Sequence, residues 1–397
     1  MRILFTPLAV TTHVFHMVPL AWALRSVGHD VRFAAQPCVI DTIGRAGFAS
    51  ATVGRTFDFQ DEAVAFVRAM ASGDRAQAAR VGNPWIGAAA DCAPDLVRFG
   101  QWWRPDVLVT DPMAYAGPLL ADALGVPVVR QLWGPDWTAS GFGMGGVPEG
   151  TTATPPWPEP LRELYDRHGA RTEVDIAAFT VDPFPPSLQH PGLARRVTMR
   201  QVPFNGAGSV PEWLLEPPAR PRVLLTWGTT TTTFAGDDSF LVPRILRGIA
   251  GLDVEVVVAI SESDHARLGG VPTGVRVVAG MALDDLLPTC AAFVSQGGAG
   301  GMATAAVHAV PQVAVPLIAD QPANAALMAR AGIGTVLDPA TFDEAAVAAA
   351  VGHAVFAAAP REAARRVAEE IRSLPSPAET VPHIEALAAG GSAAHAA

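Results

Sequence analysis

The sequence contains no lysine: its 28 basic side chains are all arginine. With 37 glycines, 35 prolines and abundant alanine, that bias fits a GC-rich coding sequence better than a functional demand. No cluster of arginines offsets the formal net charge of −10, which argues against nucleic acid as a partner. Cysteine is scarce too. Cys38, Cys92 and Cys290 are far apart and form no CxxC, so neither a disulfide framework nor a zinc site is indicated, and a reducing cytoplasm is the expected location. An apolar run of about 18 residues, the length a membrane helix needs, does not occur. The opening MRILFTPLAVTTH has one arginine and an apolar run broken by Pro7. It is too short for a signal-peptide core and reads as a first buried strand. Asp-x-Asp is absent, as is any cluster of His and Cys, so no metal is expected.

What is present is apolar material for more than one core: 50% of the 397 residues are hydrophobic and 17% charged. RILFT reads as a strand and VFHMVPLAWALRSVGHD as a helix, with Val14, Val18, Ala21, Trp22 and Leu24 at helical spacing and Gly28 as its stop. VRFAA is the next strand, which completes a βαβ unit and opens a parallel sheet. ASATV, DVLVT and VPVVRQL continue the pattern. Residues 55–104, with Trp85, Trp102 and Trp103, read as an insertion that shapes a pocket or as a plain helical cover. Residues 134–160, rich in Gly, Pro and Thr, read as a long mobile loop over a binding cleft. Composition shifts at VPFNGAGSVPEWLLEPPARP, a linker, after which alternation restarts with RVLLT, DVEVVVAI, VRVVA, AAFVS, QVAVP and GTVL as strands. The expected fold is α/β, with two doubly wound Rossmann-like domains facing each other across a cleft. The expected boundaries are 1–205, a linker at 206–218, a second domain at 219–375 and a closing helix at 376–397.

Chemistry concentrates at the carboxyl ends of these strands. AAFVS runs into Gln296-Gly297-Gly298-Ala299-Gly300-Gly301 and then a helix, a junction whose free N–H groups and dipole suit an anion; a tight turn that needs glycine for packing is the other reading. It is neither a Walker loop nor GxGxxG in a first βαβ unit. Thr229 and Thr230 follow RVLLT, and Asp320 and Gln321 follow QVAVP, where helix capping is an alternative role for Asp320. Three polar loops at strand ends of one domain point to a polar, phosphorylated ligand. In the first domain, His13 follows the first strand and Asp111 ends DVLVT, where a carboxylate can orient a histidine base.

These residues carry a resemblance. LFTPLAVTTHVFHMVPLAWALRSVGHDVRFAAQP, VLVTDPMAYAGPLLADALGVPVVRQLWGPD, NGAGSVPEWL and LLPTCAAFVSQGGAGGMATAAVHAVPQVAVPLIADQPANA are similar to actinobacterial natural-product glycosyltransferases of the GT-B fold, nearly end to end. The resemblance implies a dTDP-deoxysugar donor as co-substrate, inversion without metal or other cofactor, and a polyketide-type aglycone. It makes His13 the general base and Asp111 its partner. Thr229 and Thr230 then touch the diphosphate, Met281 and Leu283 flank the base, the loop from Gln296 to Gly300 holds the phosphates, and Asp320 and Gln321 hold the sugar. Some macrolide members also need an auxiliary protein, and the closing helix is expected to cross back to the first domain. The departure is Gln296, where the family usually has histidine. An amide keeps a neutral donor but loses a charged one, a cost of about 1–2 kcal/mol or about a decade in rate.

The expectation is an inverting sugar transferase in antibiotic biosynthesis. Its acceptor would lie against Phe15, His16, Trp133 and the glycine-rich loop. Alternatives are a donor-binding pseudoenzyme or helper subunit, against which His13 and Asp111 speak, and a GT-B-type nucleotide-sugar epimerase. A homodimer is compatible with the sequence, but no feature demands one.

Overall fold

The computed structural model describes residues 1–57, 62–71, 74–136, 157–191 and 195–394. The chain forms two compact units. Met1–Asp58, Asn83–Phe204 and Leu374–Ala397 make the first, and Phe59–Gly82 with Asn205–Ser373 the second.

The first unit is built on strands β1 (Arg2–Thr6), β2 (Asp30–Ala35), β3 (Ala49–Thr52), β4 (Val107–Thr110), β5 (Val128–Gln131), β6 (Ala177–Asp182) and β7 (Arg196–Thr198). They pair in the order β3-β2-β1-β4-β5-β6-β7, every pair parallel. A parallel sheet is covered on both faces, which is why RILFT and VLVT read as unbroken apolar runs. Ile3, Phe5, Val107 and Val109 pack with Val14, Met17 and Val18 of the helix Thr11–Ser26. Val381 and Ile384 of the closing helix Pro377–Ala394 join that same core, so the end of the chain lies in the first unit.

The second unit carries β8 (Arg222–Thr226), β9 (Glu255–Ala259), β10 (Val275–Val278), β11 (Ala292–Ser295), β12 (Gln312–Ala314) and β13 (Gly334–Val336). Their order is β10-β9-β8-β11-β12-β13, again all parallel. The period-two alternation of β8 puts Val223 and Leu225 into one core with Ile245 and Val351, and Leu224 into the opposite one with Val257 and Phe293.

Both orders follow the doubly wound 3-2-1-4-5-6 arrangement, which β7 extends by one strand in the first sheet. In it the strand sequence reverses between the first and fourth strands, and ligands bind outside the carboxyl ends at that switch point. In the first sheet the switch lies between β1 and β4, which lead to His13 and Asp111. In the second it lies between β8 and β11, which lead to Thr229 and Gln296.

Two features differ from the sequence reading. β6, β7 and the helix Glu159–Arg167 were not anticipated. β6 ends in Asp182, which is fully buried; its carboxylate accepts from the Phe184 N–H at 2.9 Å and from Gln189 Nε2 at 3.1 Å to both oxygens, and Arg196 lies 3.4 Å away. The stretch 55–104 also divides. The helix Pro84–Trp103 belongs to the first unit, whereas Glu62–Ala71 and Arg75–Val81 belong to the second, where Arg68 Nε donates to Phe234 O (3.1 Å) near the end of the helix Thr231–Ala235. Of the expected loop 134–160, residues 137–156 lie outside the described residues. Among the described residues no helix is long and apolar enough to cross a membrane.

Candidate active site

In the first unit, β1 ends at Thr6 and a short loop leads to Val10, whose carbonyl accepts the His13 N–H (3.0 Å) as the helix begins. His13 thus stands in the first turn of Thr11–Ser26. Its Nδ1 lies 2.7 Å from Asp111 Oδ2. The other carboxylate oxygen accepts the Met113 N–H at 2.7 Å, and the Asp111 N–H donates to Thr6 O at 3.1 Å. The carboxylate, 1% exposed, is therefore fixed by β1 and by its own loop. As hydrogen-bond acceptor for Nδ1–H it selects the tautomer with the lone pair on Nε2. The Trp133 ring packs on the imidazole with centroids 4.3 Å apart and planes at 39°.

Of the other residues expected near an acceptor, Phe15 meets Phe204 edge-on at 5.3 Å. His16 is buried, its carbonyl accepts from Gln131 Nε2 (2.6 Å), and burial followed by the nearby His13 lowers its pKa to about 3, so it stays neutral. None of Phe15, His16 and Trp133 lines the recess described in this unit. That recess, partly open to solvent, lies at the ends of β1, β2 and β4 against the helix Pro84–Trp103. Leu8, Ala9, Trp85, Ala89, Cys92 and Tyr115 are among its walls. Burial pushes the Cys92 thiol and the Tyr115 phenol up to about 12, so neither ionises near neutrality and these walls are uncharged. Trp85 is the part of this face that stands out in the sequence; the small residues Ala89 and Cys92 carry no comparable signal.

In the second unit the two switch-point loops close on one another. Gly228 has φ +71°, and a Cβ there would stand 2.3 Å from Gln296 Nε2; one on Gly298 would stand 2.9 Å from the same atom. Gln296 is buried, and its Oε1 has no hydrogen-bond partner. Gly297 has φ +85°, which glycine adopts without strain, and its N–H donates to Ser295 Oγ at 3.1 Å. The helix Ala299–Val307 begins at Gly298 with no side-chain cap, and its first intrahelical bond runs from Met302 N–H to Gly298 O. The N–H groups of Ala299, Gly300 and Gly301 precede that bond and so have no partner within the helix, the arrangement that binds phosphate. Thr229 is exposed and Thr230 stands at the start of the helix Thr231–Ala235.

Asp320 precedes the helix Gln321–Arg330 and accepts from Asn324 Nδ2 (2.5 Å), which also donates to Gly297 O (3.0 Å). Asn324 therefore ties Asp320 to the glycine loop, a role that a single residue inside PANAA does not advertise. The Gln321 side chain turns inward. Its Oε1 accepts from the Leu317 and Ile318 N–H groups (2.9 and 3.1 Å) and its Nε2 donates to Thr231 Oγ1 (3.2 Å), so it braces the β12 and β8 loops. Met281 and Leu283 are half-buried, with Leu283 Cδ1 3.8 Å from where a Gly301 Cβ would be. Among the described residues no group of three or more His, Cys, Asp or Glu could hold a metal ion.

Two family models match successive parts of the chain. Residues 22–228 match the N-terminal domain of the family described as erythromycin biosynthesis protein CIII-like, and residues 243–387 match its C-terminal domain. The 10-deoxymethynolide desosaminyltransferase of Streptomyces venezuelae is 37% identical, over 98% of this chain and 97% of that one. Among solved structures, spinosyn forosaminyltransferase SpnP is 34% identical with a TM-score of 0.80 (98% and 99% covered). The glycosyltransferase VinC in complex with dTDP is 28% identical with a TM-score of 0.79 (98% and 100% covered).

Proposed function

This chain belongs to the erythromycin CIII-like family of antibiotic deoxysugar glycosyltransferases, and from that membership we propose an inverting, metal-independent transfer from a dTDP-deoxysugar to a hydrophobic polyketide-type aglycone. The observation that carries the mechanism is the His13 Nδ1–Asp111 Oδ2 hydrogen bond of 2.7 Å at the first sheet's switch point. His13 Nε2 takes the proton of an acceptor hydroxyl. The acceptor oxygen attacks the anomeric carbon on the face opposite the diphosphate, and the bond from that carbon to the diphosphate oxygen breaks, its electron pair leaving with dTDP. The negative charge that develops on the diphosphate is met by the N–H groups of Gly298 to Gly301, the Gln296 amide and the hydroxyls of Thr229 and Thr230.

Gln296 suits this role because its Oε1 has no hydrogen-bond partner holding the amide in one orientation, so rotation can present its NH₂ group to an anion between the two switch-point loops. Asp320 takes a sugar hydroxyl with Gln321 bracing its loop from behind, and Met281 and Leu283 flank the base. The uncharged recess beside Trp85 and Ala89, with Trp133 over His13, is the acceptor side. The VinC complex supports a dTDP donor, and the relative named 10-deoxymethynolide desosaminyltransferase supports transfer of a deoxysugar to a natural-product acceptor.

The test is mass-spectrometric product detection with a panel of dTDP-deoxysugars and polyketide aglycones, with and without a candidate auxiliary protein. A sugar-sized mass gain with release of dTDP is expected. Binding of dTDP with no transfer under any of these conditions would favour the pseudoenzyme reading.

A further inference from the structure

The stretch NGAGSVPEWL reads in sequence as a linker, yet its first residue is built into the wall of the second unit's site. The short helix Leu283–Leu286 starts from Ala282, whose side chain has no oxygen to receive the helix's free N–H groups. The missing acceptor comes from Asn205: its Oδ1 accepts the Asp284 N–H at 3.1 Å. The same amide's Nδ2 donates to Thr304 Oγ1 at 3.3 Å, and that hydroxyl donates to Gly300 O at 2.7 Å. One side chain thus joins the loop bearing Met281 and Leu283 to the helix that starts at the glycine loop.

The segment that carries Asn205 is itself held. A Cβ on Gly208 would lie 3.9 Å from both Ala282 N and Gly280 O. The Trp213 ring takes the Arg276 guanidinium at 4.4 Å and that of Arg222 at 5.3 Å, and Leu214 is buried in the core beside Leu286. On the far side, the Asp284 carboxylate pairs with His308 Nε2 (2.6 Å) at the end of the helix Ala299–Val307.

We propose that Asn205 is a positioning residue for the donor nucleotide: by capping Leu283–Leu286 and holding Thr304, it fixes the nucleobase-flanking residues at their working distance from the diphosphate loop. The inference rests on the donor-site reading given above. It assigns Asn205 to recognition of the nucleoside part of the donor, while the phosphate N–H groups remain in place without it.

The experiment is calorimetric titration of the full chain with two probes, dTDP and inorganic pyrophosphate, on wild type, Asn205→Leu, Asn205→Asp and Asp284→Asn. Loss of one capping acceptor predicts dTDP affinity about fivefold weaker in Asn205→Leu with pyrophosphate affinity changed less than about twofold. Asn205→Asp retains an acceptor for the Asp284 N–H and recovers most of the dTDP affinity. Asp284→Asn leaves the backbone N–H and its cap intact and keeps dTDP affinity, which separates the cap from the His308 pair. Equal losses for both probes, or no loss for either, overturn the inference while leaving the donor site standing. A wild type that binds neither probe overturns the donor-site reading and any nucleotide role for Asn205 with it. Hydrogen exchange on the wild type supplies a check independent of variant folding: the Asp284 amide is expected to be protected in the free protein and more so with dTDP, and free exchange in both states overturns the inference.

Discussion

Replacing Gly228 by alanine tests whether the two switch-point loops of the second unit act as one site. The new Cβ would stand 2.3 Å from Gln296 Nε2, inside any contact distance, on a backbone with φ +71°. The nearest atom is the tip of a flexible side chain, so Gln296 swings away rather than the strand shifting. Two costs follow. Left-handed backbone strain removes about 1–2 kcal/mol of stability, which lowers the thermal midpoint of the second unit. Displacing an amide from a charged diphosphate loses about 1.5–3 kcal/mol of transition-state stabilisation, about ten- to 150-fold in kcat/KM. The assay is a double-mutant cycle of Gly228→Ala and Gln296→Ala, read as kcat/KM with saturating acceptor. Once Gln296 is already truncated, Gly228→Ala should cost little further activity. If its activity loss is as large in the Gln296→Ala background as in wild type, Gly228 and Gln296 do not share a site and the reasoning fails.

Asp111→Asn preserves shape but frees the His13 tautomer; kcat should fall by about 10²–10⁴ while the calorimetric affinity for dTDP stays unchanged. Ala89→Trp adds an indole to the wall of the recess beside Trp85 and should raise acceptor KM at least about tenfold without altering dTDP affinity, measured by initial rates against aglycone concentration. His16 is held neutral, with a pKa of about 3 against 6.5 in the unfolded chain, so its penalty is absent above pH 6.5 and grows as pH falls towards 3. Thermal melts of wild type and His16→Phe should therefore diverge on acidification in the variant's favour, by at most about 1.4 kcal/mol per pH unit. Asp182, raised to about 6 mainly by burial, contributes the opposite slope between that value and its ordinary 3.8 in both proteins, so it cancels in the comparison.

Much of this molecule is written in local pattern. RVLLT is β8 to the residue, and the closing three helices, the glycine junction and the His13–Asp111 pairing at neighbouring strand ends all follow from periodicity and strand-end position. What escaped depends on partners distant in sequence. β6 carries Asp182, whose buried carboxylate is met by the Phe184 N–H and, from farther along the chain, by Gln189 and Arg196. The helices Glu62–Ala71 and Arg75–Val81 sit amid first-unit sequence yet belong to the second unit, a membership set by distant contacts such as Arg68 to Phe234, 166 residues apart. Within the site, residue type located Gln321 but not the direction of its side chain, which Leu317, Ile318 and Thr231 determine. Gly228 reads as one more loop glycine until Gln296 is seen beneath it, and Asn205 as linker until Asp284 is.

The central claim is that His13 Nε2, with its tautomer set by Asp111, deprotonates an acceptor for sugar transfer. It is tested most directly by running His13→Ala beside wild type with one productive donor–aglycone pair, following product mass and measuring dTDP affinity on the same preparations. The account predicts product from wild type, a loss of at least about 10²-fold in the variant, and equal dTDP affinity in both. A His13→Ala enzyme that binds dTDP normally and forms product at the wild-type rate would contradict it.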